Sequence, residues 1–248
     1  MNLAGIGNLS TRARSTKRPL TRRRLLPGKL VRYAGFSVLA LIGVFVGLVG
    51  LYAVAPPVST LMIARLIEGR PYERAYARLD DVSHAAVAAV VASEDATFCQ
   101  NGGVDWRALK GVMRRAGKRG PERGASTITM QTAKNLFLWP GRSVVRKGVE
   151  IGMSVVLGKV WSKRRTMEIY LNVAEWGDGI FGIEAASRRY FKKSARELDL
   201  REGTLLAASL PSPVRRNPAH PTAFQRREAA AVAARVNHNP GITSCLKR

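Results

Sequence analysis

From Tyr33 to Ala55 the chain runs 23 residues without a charged side chain. At 1.5 Å per residue, a helix of that length reaches roughly 34 Å, enough to cross a hydrocarbon core of about 30 Å. Tyr33 and Tyr52 stand near its ends, where amphipathic rings favour the membrane interface. Nine basic side chains and no acidic one precede it within residues 1–32. That side is therefore expected to stay cytoplasmic. The competing reading is a cleaved signal peptide, since Ala53-Val54-Ala55 has the small residues of a cleavage site. The apolar run exceeds the ~7–15 residues of a signal core, and Pro56-Pro57 directly after it should resist cleavage. An anchor is the preferred reading, and either way residues 56–248 are expected outside the cytoplasmic membrane.

The charge balance narrows the partner. Lys plus Arg is 41 and Asp plus Glu is 17, a formal net charge of +24. Such an excess calls for an anionic partner: nucleic acid, membrane phosphate or a phosphorylated substrate. Export demotes nucleic acid, and the membrane span already accounts for the basic arm before it. Two cysteines in 248 residues exclude a disulfide scaffold and a cysteine-rich zinc module. The three histidines, His84, His220 and His238, make a histidine-built metal site improbable.

Beyond the span, helical signals dominate and strand signals are sparse. Ser83 can cap the nearly all-apolar run from His84, so that helix is expected to be buried. Asp105 can cap Trp106–Arg115, and Ser126 can cap Thr127–Leu138. Further helices are expected over Arg142–Lys159, Arg164–Ala174, Gly182–Phe191 and Glu202–Leu210, with Pro211 and Pro213 stopping the last. Arg114–Gly124 is glycine-rich and basic and reads as a mobile loop. After Pro221 one helix and a loose end are expected. The class is mainly α. The expected segments are a basic cytoplasmic stretch 1–32, a transmembrane helix 33–55, a linker 56–80, a catalytic domain 81–222 and a tail 223–248.

Three groups of side chains could do chemistry. Glu94-Asp95 ends the buried Ala/Val helix. The partial negative charge of a helix C-terminus and an apolar neighbourhood both disfavour a carboxylate. A raised Glu94 pKa is expected, which suits a general base near neutral pH. Taken alone, Glu94 could equally be a solvated helix end. Thr127, Gln131, Lys134 and Asn135 fall on one helix face, as do Arg142, Arg146 and Glu150. Guanidinium forks with an ammonium match a diphosphate. Each stripe alone could also be a solvated face with a weak Arg146–Glu150 pair.

Together these residues resemble a family. Glu94-Asp95-x-x-Phe98 followed by Gly103-x-Asp105 is similar to the first motif of the peptidoglycan glycosyltransferases, the family-51 fold. Arg123-Gly-Ala-Ser-Thr-Ile-Thr-Met-Gln131-x-x-Lys134-Asn135 resembles the second. Arg146-Lys147-x-x-Glu150 is similar to the third. Lys163 through Glu168-Ile-Tyr170-Leu-Asn172 resembles the fourth, and Gly182-x-x-Ala-Ala186-x-x-x-Tyr190-Phe191 the fifth. Asn135-Leu-Phe-Leu-Trp139 and Glu175-Trp-Gly-Asp-Gly179 look closest to the monofunctional biosynthetic members. The resemblance implies a lysozyme-like helical domain that polymerises lipid II into glycan strands with inversion, releasing undecaprenyl diphosphate. It implies Glu94 as base and Glu150 as second carboxylate. Lys134, Arg142 and Arg146 would lie against the leaving diphosphate, with Arg123, Thr127, Gln131 and Asn135 lining the donor cleft. No cofactor is required by it, although a divalent ion is compatible. The implied partners are lipid II, the growing strand and the membrane, with cell-wall synthesis or division proteins as candidates. The implied location is the inner membrane with a periplasmic catalytic domain.

The chain departs from the family pattern at three positions. Asn101 stands where histidine is usual and cannot titrate. Ala125 replaces a glycine and would be strained at positive φ. Met130 replaces the first of two glutamines and is read as packing. Whether Cys99 and Cys245 pair stays open. A cross-linking transpeptidase domain is not expected. Lys-Thr-Gly is absent, and Ser-x-x-Lys occurs only at Ser244–Lys247. Two rival readings remain at this level: a glycan-cleaving enzyme of lysozyme type, and a membrane-tethered scaffold for anionic polymers. Leu136-Phe137-Leu138-Trp139 and Leu61-Met62-Ile63 are candidates for contact with the bilayer.

Overall fold

A computed structural model describes residues 28–115, 125–141 and 143–247. The chain divides into two compact units, Met1–Val44 and Phe45–Arg248. Helix α1, Gly28–Tyr52, begins in the first and ends in the second. Among the described residues it is the one helix long and apolar enough to cross a membrane, with a mean hydropathy of 2.4 in its most apolar window.

The second unit is built from nine more helices among the described residues and a small sheet. The helices are α2 (Thr60–Ile67), α3 (His84–Glu94), α4 (Trp106–Arg115), α5 (Ile128–Phe137) and α6 (Val144–Val160), then α7 (Lys163–Val173), α8 (Ile183–Phe191), α9 (Leu200–Ser209) and α10 (Ala223–His238). Strands β1 (Glu73–Arg74), β2 (Glu175–Gly177) and β3 (Ile180–Phe181) form a sheet of order β1-β3-β2. β1 runs parallel to β3, and β2 runs antiparallel to it. The stretch expected as a linker carries α2 and β1. α2 is helical because Ser59 caps it through the amide of Met62 and because Met62 is fully buried.

α3 is the axis of the core. Seven consecutive residues, Ala86 through Ala92, are buried, as an all-apolar helix requires. Each buried valine there is worth about 1.5–3 kcal/mol over an exposed one. Its main neighbours are α9 and α10. The segment after Pro221 is thus core-packing, with Ala229 and Val232 buried, and its end is not loose. Ile242 and Leu246 are buried, and Cys99 and Cys245 form a disulfide with a Cα–Cα distance of 5.4 Å.

This bridge ties the chain end to the turn that follows Glu94 across 146 residues of sequence. Replacing both cysteines by serine is expected to lower the unfolding free energy by about 2–5 kcal/mol, because the denatured chain regains the freedom that the cross-link removes. Denaturant titration of the wild-type and doubly substituted proteins measures it. Equal midpoints would show that the bridge adds nothing.

A second apolar cluster joins Val49, Ala133, Leu136, Leu157, Trp161, Ile169 and Val173, with Phe45, Tyr52 and Phe137 packed on it. The end of α1 belongs to this cluster. Phe45 meets Phe137 edge-on at 5.0 Å, and Trp161 Nε1 donates to the Val49 carbonyl at 3.0 Å. Arg165 Nε donates to the Tyr52 carbonyl at 2.9 Å, so the last turn of α1 is capped by α7.

Candidate active site

Glu94 is the last residue of α3. Its Oε2 accepts from Gln131 Nε2 at 2.8 Å, and its Oε1 accepts from Ser93 Oγ at 3.2 Å. Gln131 in turn accepts from the hydroxyl of Tyr170 at 3.2 Å, which fixes the orientation of its amide. Burial raises the Glu94 pKa above the ordinary glutamate value. The bonds from Gln131 and Ser93 and the charges of Lys134 and Arg235 oppose that rise without cancelling it. The neighbouring Asp95 is also raised by burial. Asp95 is held by the amides of Asn101 and Ile128, at 3.0 and 3.1 Å.

Asn101 does more than fill the place of a histidine. It also accepts from Lys163 Nζ at 3.2 Å, and Lys163 lies 4.3 Å over the ring of Phe98. The loop after Asn101 presses on α6. Gly103 has φ +103, and a Cβ there would stand 2.4 Å from the Ser154 carbonyl. The site does not hold Ala125 at positive φ, since Lys192 is the one described non-glycine residue that has it, so the condition for strain there is not met. Met130 is fully buried packing. The cap of α5 is Thr127, one residue later than Ser126. Its oxygen accepts from the Met130 amide and its hydroxyl donates to the Gly103 carbonyl.

The cations gather between α5 and α6. Arg146 is 8% exposed and Glu150 is 2% exposed. The i,i+4 pair between them is long, at 3.9 Å. The closer partner of Glu150 is Lys147, one turn earlier at i,i+3, which also donates to Ser126 Oγ at 2.8 Å. Arg146 Nε is buried without an acceptor among the described residues. Burial lowers the Lys134 pKa below the usual lysine value, Glu150 opposes that fall, and Arg146 and Lys147 add to it.

Two cavities flank α5. One, of about 220 Å³, is lined by Glu94, Asp95, Asp105, Ser126, Thr127 and Arg235 among others. The other, of about 260 Å³, is lined by Thr60, Lys134, Asn135, Trp139 and Arg146 among others. Neither holds Glu94 together with Lys134, but Lys134 is close enough for its charge to act on Glu94. Arg123 and Arg142 lie outside the described residues. Lys147 stands in the third motif, but its pairing with Glu150 was not anticipated because an i,i+4 reading passes over it, and Arg235 lies beyond the last motif. Among the described residues no three His, Cys, Asp or Glu side chains converge as a metal site would need.

Other motif residues serve the scaffold. Glu168 accepts from the Leu79 amide at 2.8 Å and from Tyr76 at 2.7 Å. Asn172 bonds both the amide and the carbonyl of Ala77, at 2.9 and 2.8 Å. Of the apolar segments expected at the bilayer, Leu136, Leu138 and Met62 are buried, whereas Trp139 is 61% exposed and Ile63 46%. Val144, the first residue of α6, is 87% exposed.

Residues 60–237 match the family model described as Transglycosylase. The chain belongs to the transglycosylase family. The match begins at α2 and runs into α10, so the family domain takes in both. Among curated relatives, a biosynthetic peptidoglycan transglycosylase of Brucella suis biovar 1 is 48% identical over 210 residues, covering 85% of this chain and 94% of the relative. One of Rhizobium meliloti is 47% identical over 213 residues, covering 85% and 90%. One of Mesorhizobium japonicum is 43% identical over 240 residues, covering 96% and 100%. This transglycosylase is accordingly a mainly α, lysozyme-like domain preceded by a helix of membrane-spanning length.

Proposed function

We propose that this transglycosylase is a peptidoglycan glycosyltransferase that polymerises lipid II during cell-wall synthesis. The observation that carries the reading is a half-buried carboxylate, Glu94, that lines a cavity, has a raised pKa and lies within reach of the charge of the half-buried Lys134. Glu94 takes the proton from the 4-hydroxyl of the acceptor sugar. That oxygen attacks the anomeric carbon of the growing donor chain with inversion, and the bond to undecaprenyl diphosphate breaks. Lys134 and Arg146, with Arg142, neutralise the charge that builds on the departing diphosphate. Glu150, paired with Lys147 and Arg146, holds those cations in register. Gln131 orients Glu94, and Asn135 lines the donor side. A lytic enzyme of the same fold acts on uncharged glycan and would have no task for the cation cluster.

The span α1 anchors the enzyme in the inner membrane with its basic N-terminal side cytoplasmic and the catalytic domain outside. Exposed Trp139, which lines the second cavity, supports contact between that edge and the bilayer that holds the lipid substrate.

The test is incubation with purified lipid II and, separately, with finished cell wall. Glycan growth from the first supports the reading, and fragment release from the second overturns it. The pH–rate profile adds a sign. Glu94 works deprotonated, so activity is expected to fall as pH drops through a pKa above the ordinary glutamate value. Lys134 works protonated, so activity is expected to fall again at high pH, through a pKa below the usual lysine value. An acid limb at the ordinary glutamate value would remove the role of burial.

A further inference from the structure

We infer that Arg235, on α10, is a substrate-binding residue that holds an oxyanion of the incoming acceptor in the Glu94 cavity. This inference rests on the reading of Glu94 as the base, because that reading places the acceptor there.

Arg235 lines the same cavity as Glu94, Asp95 and Asp105, yet it makes no ion pair with any of them among the described residues. Its one hydrogen bond there is from Nε to the Ala231 carbonyl of its own helix, at 3.3 Å. The three carboxylates are occupied elsewhere. Glu94 accepts from Gln131 and Ser93. Asp95 accepts from Asn101, Ile128 and Thr97. Asp105 accepts from the amides of Arg107 and Ala108 and from Thr97. The guanidinium therefore borders the cavity with most of its five donors uncommitted.

Its mounting is firm. α10 packs on α3, the helix that ends in Glu94, and on α9. Val232, one turn before Arg235, is 2% exposed. Thr222 and Gln225 close a capping box at the start of the helix. The packing fixes the backbone of Arg235 relative to the base, and the exposed side chain reaches from there toward the cavity, where its charge acts on Glu94.

The reaction brings two diphosphate-bearing molecules together, a donor and an acceptor. Lys134 and Arg146 line the second cavity and Arg235 lines the first. Each cavity thus has its own cation for its own substrate. An acceptor whose hydroxyl reaches Glu94 carries oxyanions one sugar further along: its diphosphate and the carboxylates of its stem peptide. A guanidinium fork takes either.

The experiment uses the full-length protein in detergent, with a short preformed glycan on lipid diphosphate as donor and lipid II varied as acceptor. Arg235→Gln is expected to raise the KM for lipid II by about 10–100-fold, the effect of losing a charged hydrogen bond, with a smaller change in kcat. Arg235→Lys is expected to recover part of the loss, which a purely structural role would not require. An unchanged KM in Arg235→Gln, or a loss confined to kcat, overturns the inference. Repeating the measurement with acceptor lacking the stem peptide separates the sources. A persisting defect assigns the diphosphate, and a vanished one assigns the peptide carboxylate. Glu94→Gln is run alongside. Normal polymerisation by that variant sinks the base reading whatever Arg235 does, whereas an inactive Glu94→Gln beside a normal KM in Arg235→Gln sinks only the Arg235 inference.

Discussion

Glu94→Gln is expected to slow lipid II polymerisation by about 10²–10⁴-fold, the usual worth of a positioned general base, without loss of fold. Glutamine matches glutamate in shape and still offers an oxygen to the amide of Gln131, whose own orientation is fixed by Tyr170. It cannot take a proton. Stability should hold or rise, because burial disfavours the carboxylate that the change removes. The check pairs a polymerisation time course with a thermal melt of both proteins. A variant that melts normally and polymerises at the wild-type rate would leave the mechanism without its base. A variant that melts lower would place Glu94 among the structural carboxylates instead, beside Asp95.

Lys134→Met is the second large effect. We expect a loss of about 10²–10³-fold in kcat, the magnitude seen when a single donor to developing negative charge is removed. Methionine keeps the unbranched stem and drops the ammonium, so packing changes little. The pH profile makes the outcome specific. Since the native ammonium deprotonates below the usual lysine value, the alkaline limb should move or disappear in the variant while the acid limb set by Glu94 remains. A normal rate, or an unchanged alkaline limb, would assign the departing charge to Arg146 and Lys147 instead. Glu150, which pairs with Arg146 and Lys147 and whose charge acts on Lys134, makes the set non-additive, so single substitutions should not be summed.

Local chemistry was legible wherever it depends on neighbours in sequence. Ser83 and Asp105 cap the helices expected of them, and the all-apolar run between Ala86 and Ala92 is buried throughout. The rise in the Glu94 pKa has the direction expected from the sequence, and its cause is the apolar surroundings rather than the helix end. Features that depend on tertiary approach were not legible. The partnering of Cys99 with Cys245 spans 146 residues. Arg235 sits in an Arg/Ala-rich helix and is exposed like Arg226 and Arg227, so nothing local shows that it borders the Glu94 cavity. Lys147 outranks Arg146 as the partner of Glu150 by about a turn's fraction of rotation, which a rule of fours does not resolve. Thr127 rather than Ser126 caps α5, and its hydroxyl also reaches Gly103 on a loop distant in sequence. Within the uncharged run, Phe45, Val49 and Tyr52 look like any lipid-facing residue, since a uniformly apolar helix carries no periodicity to show which face meets protein.

That last point bears on how the enzyme can be handled. The final two turns of α1 complete an apolar cluster made by α5, α6 and α7, and Arg165 and Trp161 grip its carbonyls. Cutting the chain at residue 55 would strip a wall from the body and leave Leu136, Leu157 and Ile169 facing water. Grafting on an unrelated hydrophobic span would fare no better unless it carried Phe45, Val49 and Tyr52 at the same spacing. The anchor is therefore not an interchangeable tether, and a water-soluble version has to be cut upstream of Phe45.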